Sequence, residues 1–151
     1  MALEIRPILA TEYEQAAEVV WASFNHLAAH YQSATGIESF AQIARACEMR
    51  ARDIAGGVTY IALIQHTIVG VLQVRSGEHI SLLFVLPEFQ SRGVGRALIR
   101  QADAVQRLIS VQASSNSVTA YMRYGFMPTG AEQLSETGIR YVPMARGALR
   151  Q

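Results

Sequence analysis

The chain has 151 residues, of which 50% are hydrophobic and 17% are charged, and this length suits one globular domain with a buried core. Thirteen basic against twelve acidic residues leave a net charge of +1, so the chain has neither a nucleic-acid-coating field nor an acidic tail. All thirteen basic residues are arginine and only two aspartates occur. This composition excludes a Schiff-base lysine and a Gly-Lys-Ser/Thr nucleotide loop, and it argues against a clustered-carboxylate metal site.

Cys47 is the only cysteine, so it can form neither an internal disulfide nor a multi-thiolate zinc site. The N-terminal segment has no basic leader followed by an apolar run, and no stretch of about eighteen apolar residues occurs. These features predict a soluble, cytoplasmic protein that binds neither a membrane nor a nucleic acid and holds no metal.

The first third of the chain predicts one strand and two helices. Leu3, Ile5 and Ile8 indicate a short strand-like segment that is ended by Pro7. Thr11 and Glu14 have the spacing of a capping box for a helix that begins near residue 12. Apolar residues at helical spacing predict a second helix over residues 39–55, which ends at the glycine pair 56–57.

Three strand-like runs follow and predict an antiparallel meander. They cover residues 58–64, 67–74 and 79–86, with turns at Gln65-His66 and Ser76-Gly77. Regular alternation in the third run predicts two faces. One face would carry His79, Ser81, Leu83 and Val85, and the other would carry Ile80, Leu82 and Phe84.

The remaining elements predict two helices and two strands. A helix over residues 93–107 would bury Val94, Ala97, Leu98, Gln101, Val105 and Leu108, with Arg92, Arg96 and Arg100 on another face. A strand over residues 108–112, a helix over residues 116–124 that ends at Gly125, and a strand over residues 140–145 follow. The order β-α-α-β-β-β-α-β-α-β indicates an α/β (α+β) fold with a mixed sheet.

The most informative segment runs from residue 85 to residue 98, where a strand passes through a glycine-bearing loop into a helix. The first amides of a helix lack intrahelical acceptors, and Gly93 and Gly95 would let an anion approach them. This loop predicts a pyrophosphate cradle, although an ordinary strand-to-helix turn fits the same residues. A dinucleotide-binding fingerprint is disfavoured because Leu98 occupies the place of its third glycine.

Two blocks of residues resemble the GNAT superfamily of acyl-coenzyme A N-acyltransferases. Gln90-Ser91-Arg92-Gly93-Val94-Gly95 matches the family signature Gln/Arg-x-x-Gly-x-Gly/Ala. The segment 111–126, with its Tyr121-Met122-Arg123-Tyr124-Gly125-Phe126 ending, is similar to the last helix of the family, and residues 138–144 are similar to the tail of small bacterial members. The resemblance covers about residues 3–145, and it carries no specific motif in the first 55 residues.

The resemblance implies a single N-acetyltransferase domain over residues 1–151, with a mostly antiparallel central sheet flanked by helices. It implies acetyl-coenzyme A (acetyl-CoA) as co-substrate and a primary amine of a small molecule or peptide as acceptor, attacked directly in a ternary complex. The identity of the acceptor, the preferred acyl chain and the oligomeric state stay open, with a homodimer as one candidate.

The same resemblance assigns residues to the coenzyme. The backbone of Gln90, Ser91, Arg92, Gly93, Val94, Gly95 and Arg96 would hold the pyrophosphate. The strand edge at Phe84 and Val85 would pair with pantetheine, and a family bulge in this strand would aim the Val85 amide at the thioester carbonyl. Asn116 would contact the coenzyme, or it would cap its helix together with Ser114 and Ser115.

Three residues are candidates for proton transfer. Tyr121 would donate a proton to the departing thiolate, its alternative role being to hold helix to sheet, while Tyr124 is predicted to be structural. His79 would accept or relay the proton of the amine, as does a histidine at the matching position of certain aralkylamine acetyltransferases. Glu78 or water is the alternative to His79 as proton acceptor. The non-catalytic interpretation of His79 is a solvent-facing histidine in a turn. His26 and His30 lie four residues apart without a third metal ligand.

Two other functions compete with the enzyme. A catalytically silent acyl-CoA sensor or partner-binding module would keep the loop from Gln90 to Gly95 without needing Tyr121. A nucleotide- or flavin-binding protein would use the same loop, but the missing third glycine argues against it.

Overall fold

A computed structural model describes residues 2–76 and 78–147 of the chain. Its helices are α1 (Tyr13–Leu27), α2 (Ala34–Ile43), α3 (Ala46–Ile54), α4 (Val94–Val105) and α5 (Val118–Arg123). Its strands are β1 (Leu3–Pro7), β2 (Val58–Ile64), β3 (Thr67–Arg75), β4 (His79–Val85), β5 (Ser110–Ala113), β6 (Met127–Pro128), β7 (Gln133–Leu134) and β8 (Arg140–Ala145). Short 3-10 turns lie at Ala29–Tyr31, Pro87–Phe89 and Ser115–Ser117.

The strands form one sheet in the order β1-β2-β3-β4-β5-β8-β6, and β7 pairs with β8. Within the described residues, β4 and β5 run parallel while the other neighbouring strands run antiparallel. The predicted meander of β2, β3 and β4 and the mixed, mostly antiparallel sheet are therefore confirmed. Gln65 and His66 form the first turn with positive φ angles of 51° and 66°, and Gly77 of the second predicted turn lies outside the described residues.

Helices cover both faces of the sheet. Successive residues of a strand point to opposite sides, so the strands contribute to two separate cores. The core beneath α1, α2 and α3 contains Val20, Phe24, Phe40, Met49, Ile61, Val71 and Leu82. The core beneath α4 and α5 contains Ala62, Leu72, Ile80, Val94, Leu98, Tyr121 and Phe126. Gly70 of β3 lets α4 approach closely, since a Cβ there would lie 3.0 Å from the Val94 side chain.

Strand β4 contains a bulge at Ser81. Gln73 pairs with Leu82 and Val74 pairs with Ile80, so Ser81 has no partner on β3. The extra residue breaks the regular alternation that the sequence predicted. Ile80 consequently lies in the same core as Leu83 and Val85, whereas Leu82 and Phe84 lie on the α1 side of the sheet.

The predicted capping box at the start of α1 is wrong. Glu12 precedes the helix, and no side-chain hydrogen bond caps it. The Glu12 carboxylate instead accepts hydrogen bonds from the Leu9 amide (2.8 Å) and from the Arg6 guanidinium (2.9 and 2.8 Å). Because Glu12 rather than Thr11 is the N-cap residue of α1, Thr11 and Glu14 do not take the positions of a capping box, and the Glu12 carboxylate is engaged in a charge-assisted pair with Arg6.

The predicted helix over residues 39–55 is two helices. Arg45 is extended, with φ −67° and ψ 143°, and it separates α2 from α3. Helix α2 begins five residues earlier than predicted, where the Ser33 hydroxyl accepts a hydrogen bond from the Gly36 amide at 3.1 Å. The break lets α2 bury Phe40 while α3, in another direction, buries Met49.

Helix α4 buries a narrower stripe than the sequence predicted. Val94, Leu98, Ile99 and Ala102 are buried, whereas Gln101 is exposed and Val105 is 73% exposed. Helix α5 begins at Val118, after the 3-10 turn, and neither that turn nor α5 receives a capping hydrogen bond from a side chain. The capping role considered for Ser114, Ser115 and Asn116 is therefore not found.

Candidate active site

Strands β4 and β5 separate after a short parallel contact. They pair only at His79 with Ser110 and at Ile80 with Val111. A cavity of about 1100 Å³ opens where the two strands diverge, and residues from both sides of the sheet line it. Beyond Ile80, the edge of β4 that faces this cavity is free of strand partners among the described residues.

Hydrogen bonding to β3 decides which groups β4 presents to the cavity. Val69 and Leu86 are the opposite residues next to the pair Gly70–Val85, and the Leu86 amide donates to the Val69 carbonyl at 2.9 Å. Hydrogen-bonded and non-hydrogen-bonded pairs alternate along an antiparallel ladder, so Val85 is at a non-hydrogen-bonded position. The amides of Val85 and, two residues earlier, Leu83 therefore point away from β3 and toward the cavity. The backbone of Phe84 faces β3, so Leu83 replaces Phe84 in the predicted backbone edge.

The loop before α4 opens the first amides of that helix to the cavity. Ser91 and Gly93 have φ angles of 61° and 82°, and Gln90, Ser91, Gly93, Val94, Gly95 and Arg96 line the cavity. A Cβ on Gly93 would meet nothing within 4 Å, whereas a Cβ on Gly95 would lie 2.6 Å from the Tyr124 hydroxyl oxygen. Backbone conformation thus demands glycine at residue 93, and close packing demands it at residue 95.

Two side chains of this loop face away from the amides. The Gln90 side-chain amide donates to the Val85 carbonyl at 3.0 Å, which ties the loop to the end of β4. The Arg92 guanidinium lies 5.5 Å from the centre of the Phe89 ring, and Arg92 is absent from the cavity lining. Arg96 does line the cavity, and its guanidinium lies 5.6 Å from the centre of the Tyr124 ring.

Tyr121 of α5 lines the cavity with only 6% of its surface exposed. Its ring packs edge-to-face against Tyr124 at 5.9 Å and Phe126 at 5.8 Å. Within the described part of the chain, its hydroxyl forms no hydrogen bond to protein. Burial and the neighbouring Tyr124 raise the pKa of Tyr121, so its phenol keeps its proton at neutral pH and is a potential donor to a cavity ligand.

His79 lies half-buried at the start of β4 and lines the cavity. Its Nδ1 is 2.8 Å from the Ser110 hydroxyl, and Arg75 is its partner on β3. Burial, reinforced by the positive charge of Arg75, lowers the pKa of His79 to about 4. His79 is therefore neutral at pH 7, since desolvation disfavours its charged form.

Glu78, the alternative to His79, is placed elsewhere. It is exposed in the turn before β4 and does not line the cavity. Its carbonyl accepts a hydrogen bond from the Ile109 amide at 2.8 Å. Of the predicted catalytic residues, the fold therefore brings Tyr121 and His79 to one cavity and leaves Glu78 outside it.

Asn116 lines the cavity from the 3-10 turn before α5. Its side-chain oxygen accepts a hydrogen bond from the Ser114 hydroxyl at 2.6 Å. The amide group of Asn116 therefore has no described protein partner and can donate to a ligand.

Sequence reasoning missed several polar residues of the cavity lining, and three of them bear on the site. The Ser81 hydroxyl at the bulge is buried without a hydrogen-bond partner in the described ranges, and Arg52 and Arg75 reach the cavity from α3 and β3. No motif marks them, because a bulge is a property of strand pairing and the two arginines meet only through the tertiary fold. In residues 2–76 and 78–147 no cluster of three or more His, Cys, Asp or Glu residues is suited to a metal, and no helix has the length and apolarity to cross a bilayer.

Comparisons with known proteins agree on one family. Residues 27–147 match the family described as Acetyltransferase (GNAT) domain. The chain is 26% identical over 137 residues to the uncharacterized N-acetyltransferase YafP of Escherichia coli, covering 90% of this chain and 89% of that protein.

Solved structures share the fold over nearly the whole chain. A GCN5-related N-acetyltransferase of Rhodopseudomonas palustris superposes with a TM-score of 0.79 and 25% identity, covering 98% of this chain and 99% of that one. The PaiA N-acetyltransferase of Thermoplasma acidophilum, in complex with coenzyme A, has a TM-score of 0.76 and 18% identity, covering 98% and 100%. With a family match over most of its length and a sheet that parts between β4 and β5, the chain belongs to the GNAT acetyltransferases.

Proposed function

We propose that the protein transfers an acetyl group from acetyl-CoA to a primary amine in a ternary complex. One observation carries the proposal: a single cavity combines the open amides of α4, the free edge of β4 and the hydroxyl of Tyr121. The pyrophosphate of the coenzyme needs the helix amides, and its amide-bearing pantetheine arm needs the strand edge. The departing thiolate needs the hydroxyl as a proton donor.

The α4 end of the cavity supports the binding of coenzyme A. Amides at a helix N-terminus favour a pyrophosphate, and the lining residues Arg96 and Arg123 add positive charge there. The free amide of Val85 pairs with pantetheine, and that of Leu83, two residues nearer to His79, polarises the thioester carbonyl. PaiA, which shares this fold, binds coenzyme A in its own structure.

The reaction forms one bond and breaks another. The neutral amine nitrogen attacks the thioester carbon, a C–N bond forms, and the C–S bond breaks when the tetrahedral intermediate collapses. Tyr121 gives its proton to the leaving thiolate and regains one from solvent. The amine proton leaves through His79, which passes it on toward the Ser110 hydroxyl or water, because a base with so low a pKa does not hold a proton at neutral pH.

The lowered pKa of His79 predicts an unusual pH dependence. We expect His79→Gln to lower kcat/KM by about tenfold or more between pH 6 and 9, while any acidic limb near pH 6.5 stays where it is. Glu78→Gln should change neither the rate nor the profile. A limb near pH 6.5 that disappears in His79→Gln would contradict the low pKa, and one that disappears only in Glu78→Gln would move the role to the carboxylate.

The same shift predicts how stability depends on pH. Because folding depresses the pKa of His79, the unfolded chain takes up a proton first as the pH falls. The stabilisation by neutral His79 is complete above about pH 6.5 and is lost as the pH falls toward 4. In thermal melts the wild type should therefore lose more stability than His79→Gln across this interval, and parallel curves would contradict the shift.

Two measurements test the function itself. Acetyl-CoA should raise the melting temperature, because a ligand of the folded state stabilises by about 2.7 kcal/mol at a hundredfold excess over its Kd. Release of free thiol should then require an added primary amine. A thermal shift without thiol release from any amine would support a silent acyl-CoA sensor, and the absence of both would overturn the proposal.

A further inference from the structure

The cavity lining carries positive charge without any carboxylate. Among the described residues, five arginines and three histidines line it, and no aspartate or glutamate does. These residues are Arg52, Arg75, Arg96, Arg123, Arg140, His26, His30 and His79. A cavity of this kind favours anions, and it disfavours an acceptor with several positive charges.

Coenzyme A accounts for only part of this charge. Arg96 and Arg123 lie at the α4 and α5 end, where the phosphates of the coenzyme would bind, and Arg140 has Glu132 at 3.9 Å. Arg52 and Arg75 are left, and within the described ranges neither forms an ion pair. Arg75 pairs with His79 at the start of β4, about 20 Å along the strand from Val85 and the pyrophosphate loop.

Hydrogen bonds hold the Arg52 guanidinium in one orientation. Its Nε donates to the Gln73 side-chain oxygen at 2.7 Å, and its Nη2 donates to the Ile43 carbonyl at 2.7 Å. Gln73 is fully buried, and its amide donates to the Met49 carbonyl at 2.8 Å and to the Asp53 carboxylate at 3.1 Å. A guanidinium has five N–H donors, so three remain for a ligand after these two bonds.

Nearby carboxylates do not neutralise Arg52. The Asp53 carboxylate accepts hydrogen bonds from the Tyr13 and Thr59 hydroxyls, each at 2.6 Å, besides that from Gln73. Glu48 and Asp53 act to raise the pKa of Arg52, but burial outweighs them and Arg75 adds to it, so that the pKa is lowered. A bound anion would offset both the desolvation cost of the buried Arg52 charge and the repulsion of that charge by Arg75.

We propose that the acceptor amine also carries a carboxylate, which Arg52 and Arg75 bind at the end of the cavity opposite the pyrophosphate loop. The inference rests on the proposed function and names the substrate class of that site. Arginine and carboxylate form strong, paired hydrogen bonds. The same cavity is lined by Phe24, Phe40 and Phe84, so an amino acid with an apolar side chain fits better than a polyamine.

Matched probes and matched variants test this class. The kcat/KM for thiol release is compared between L-phenylalanine and L-phenylalaninamide, which differ in the carboxylate alone, with spermidine and O-phosphoethanolamine as further amines. The wild type should prefer the acid by about 10- to 100-fold, the loss expected for a charge-assisted hydrogen bond. Comparing the rates at the pH where each amine is half-ionised removes the difference in amine basicity.

The variants are Arg75→Gln, Arg52→Gln and Arg100→Gln. The first two should bring the ratio of acid to amide near one, because the amide lacks the group that they bind. Arg100→Gln, an exposed arginine of α4 outside the cavity lining, should leave the ratio unchanged. If Arg52→Gln unfolds because Gln73 loses its partner, the variant Arg75→Gln still tests the inference, since Arg75 is exposed. Wild-type preference for the amide or spermidine, or an unchanged ratio in Arg75→Gln, would overturn the inference.

Two further outcomes separate this inference from the proposed function. A preference for O-phosphoethanolamine over L-phenylalanine would make the bound anion a phosphate and overturn the carboxylate. Acetylation of the amide or spermidine alone would overturn the acceptor class and leave the acetyltransferase intact. A wild type whose melting temperature does not respond to acetyl-CoA would instead overturn the proposed function, on which the acceptor class depends.

Discussion

Tyr121→Phe should lower kcat by about 10²–10⁴-fold, the range for the loss of a general acid. The substitution removes only the hydroxyl, which forms no hydrogen bond to described protein groups, and it keeps the edge-to-face packing against Tyr124 and Phe126. The melting temperature and the shift produced by acetyl-CoA should therefore stay close to wild type. Turnover is measured with saturating acetyl-CoA and one good acceptor, so that the change is read in kcat.

Tyr60→Phe is the matched control for this variant. Tyr60 is a buried tyrosine of the same core, its pKa is also raised by burial, and it does not line the cavity. Removing its hydroxyl should leave kcat nearly unchanged. If Tyr121→Phe kept kcat within about twofold of wild type, Tyr121 would be structural and the thiolate would take its proton from another source.

Gly93→Asp should abolish the binding of acetyl-CoA in the concentration range that saturates the wild type. A carboxylate at this residue would share the loop with the pyrophosphate, and two unit charges about 6 Å apart at an effective dielectric of about 20 repel by about 3 kcal/mol, or roughly 100-fold in Kd. The φ of 82° at Gly93 is a region that aspartate and asparagine tolerate best after glycine. The variant should therefore fold.

Gly93→Asn separates charge from shape in this experiment. Asparagine has nearly the size of aspartate and pays the same cost for the left-handed backbone, but it carries no charge. We expect calorimetry to find acetyl-CoA binding to Gly93→Asn within about tenfold of wild type and none to Gly93→Asp. Equal loss in the two variants would assign the effect to bulk or backbone strain, and unchanged binding in both would remove the loop from the coenzyme site.

Elements with strong local signals were predictable from the sequence. Continuous apolar runs predicted β2, β3 and β4, since a strand covered on both faces lacks polar positions. Gly125, with a φ of 98°, follows the last residues of α5 and marks where the chain turns away from the helix. The loop before α4 was also predictable, because its two glycines lie between a strand and a helix. In the structure, backbone conformation requires one of them and close packing requires the other.

The rest depended on tertiary contacts. No glycine or proline marks Arg45, so the periodicity of residues 39–55 continues through a break that exists for the packing of Phe40 and Met49. Strands β6 and β7 have two residues each, too few for any periodic signal. Arg52 and Arg75 lie 23 positions apart in segments without a motif, and only the pairing of β3 with β4 and the packing of α3 bring them to one cavity.

The bulge at Ser81 also governs how β4 is aligned with strands of other proteins. An ungapped alignment to an unbulged strand that matches Val85 correctly would set His79 against a residue of the opposite face, because one extra residue reverses the side on which every earlier residue lies. A one-residue gap at Ser81 restores the match at both ends. The correspondence between His79 and the relay histidine of aralkylamine acetyltransferases therefore holds in strands that bulge at the same residue, and elsewhere the histidine in the same column would face the other layer of the fold.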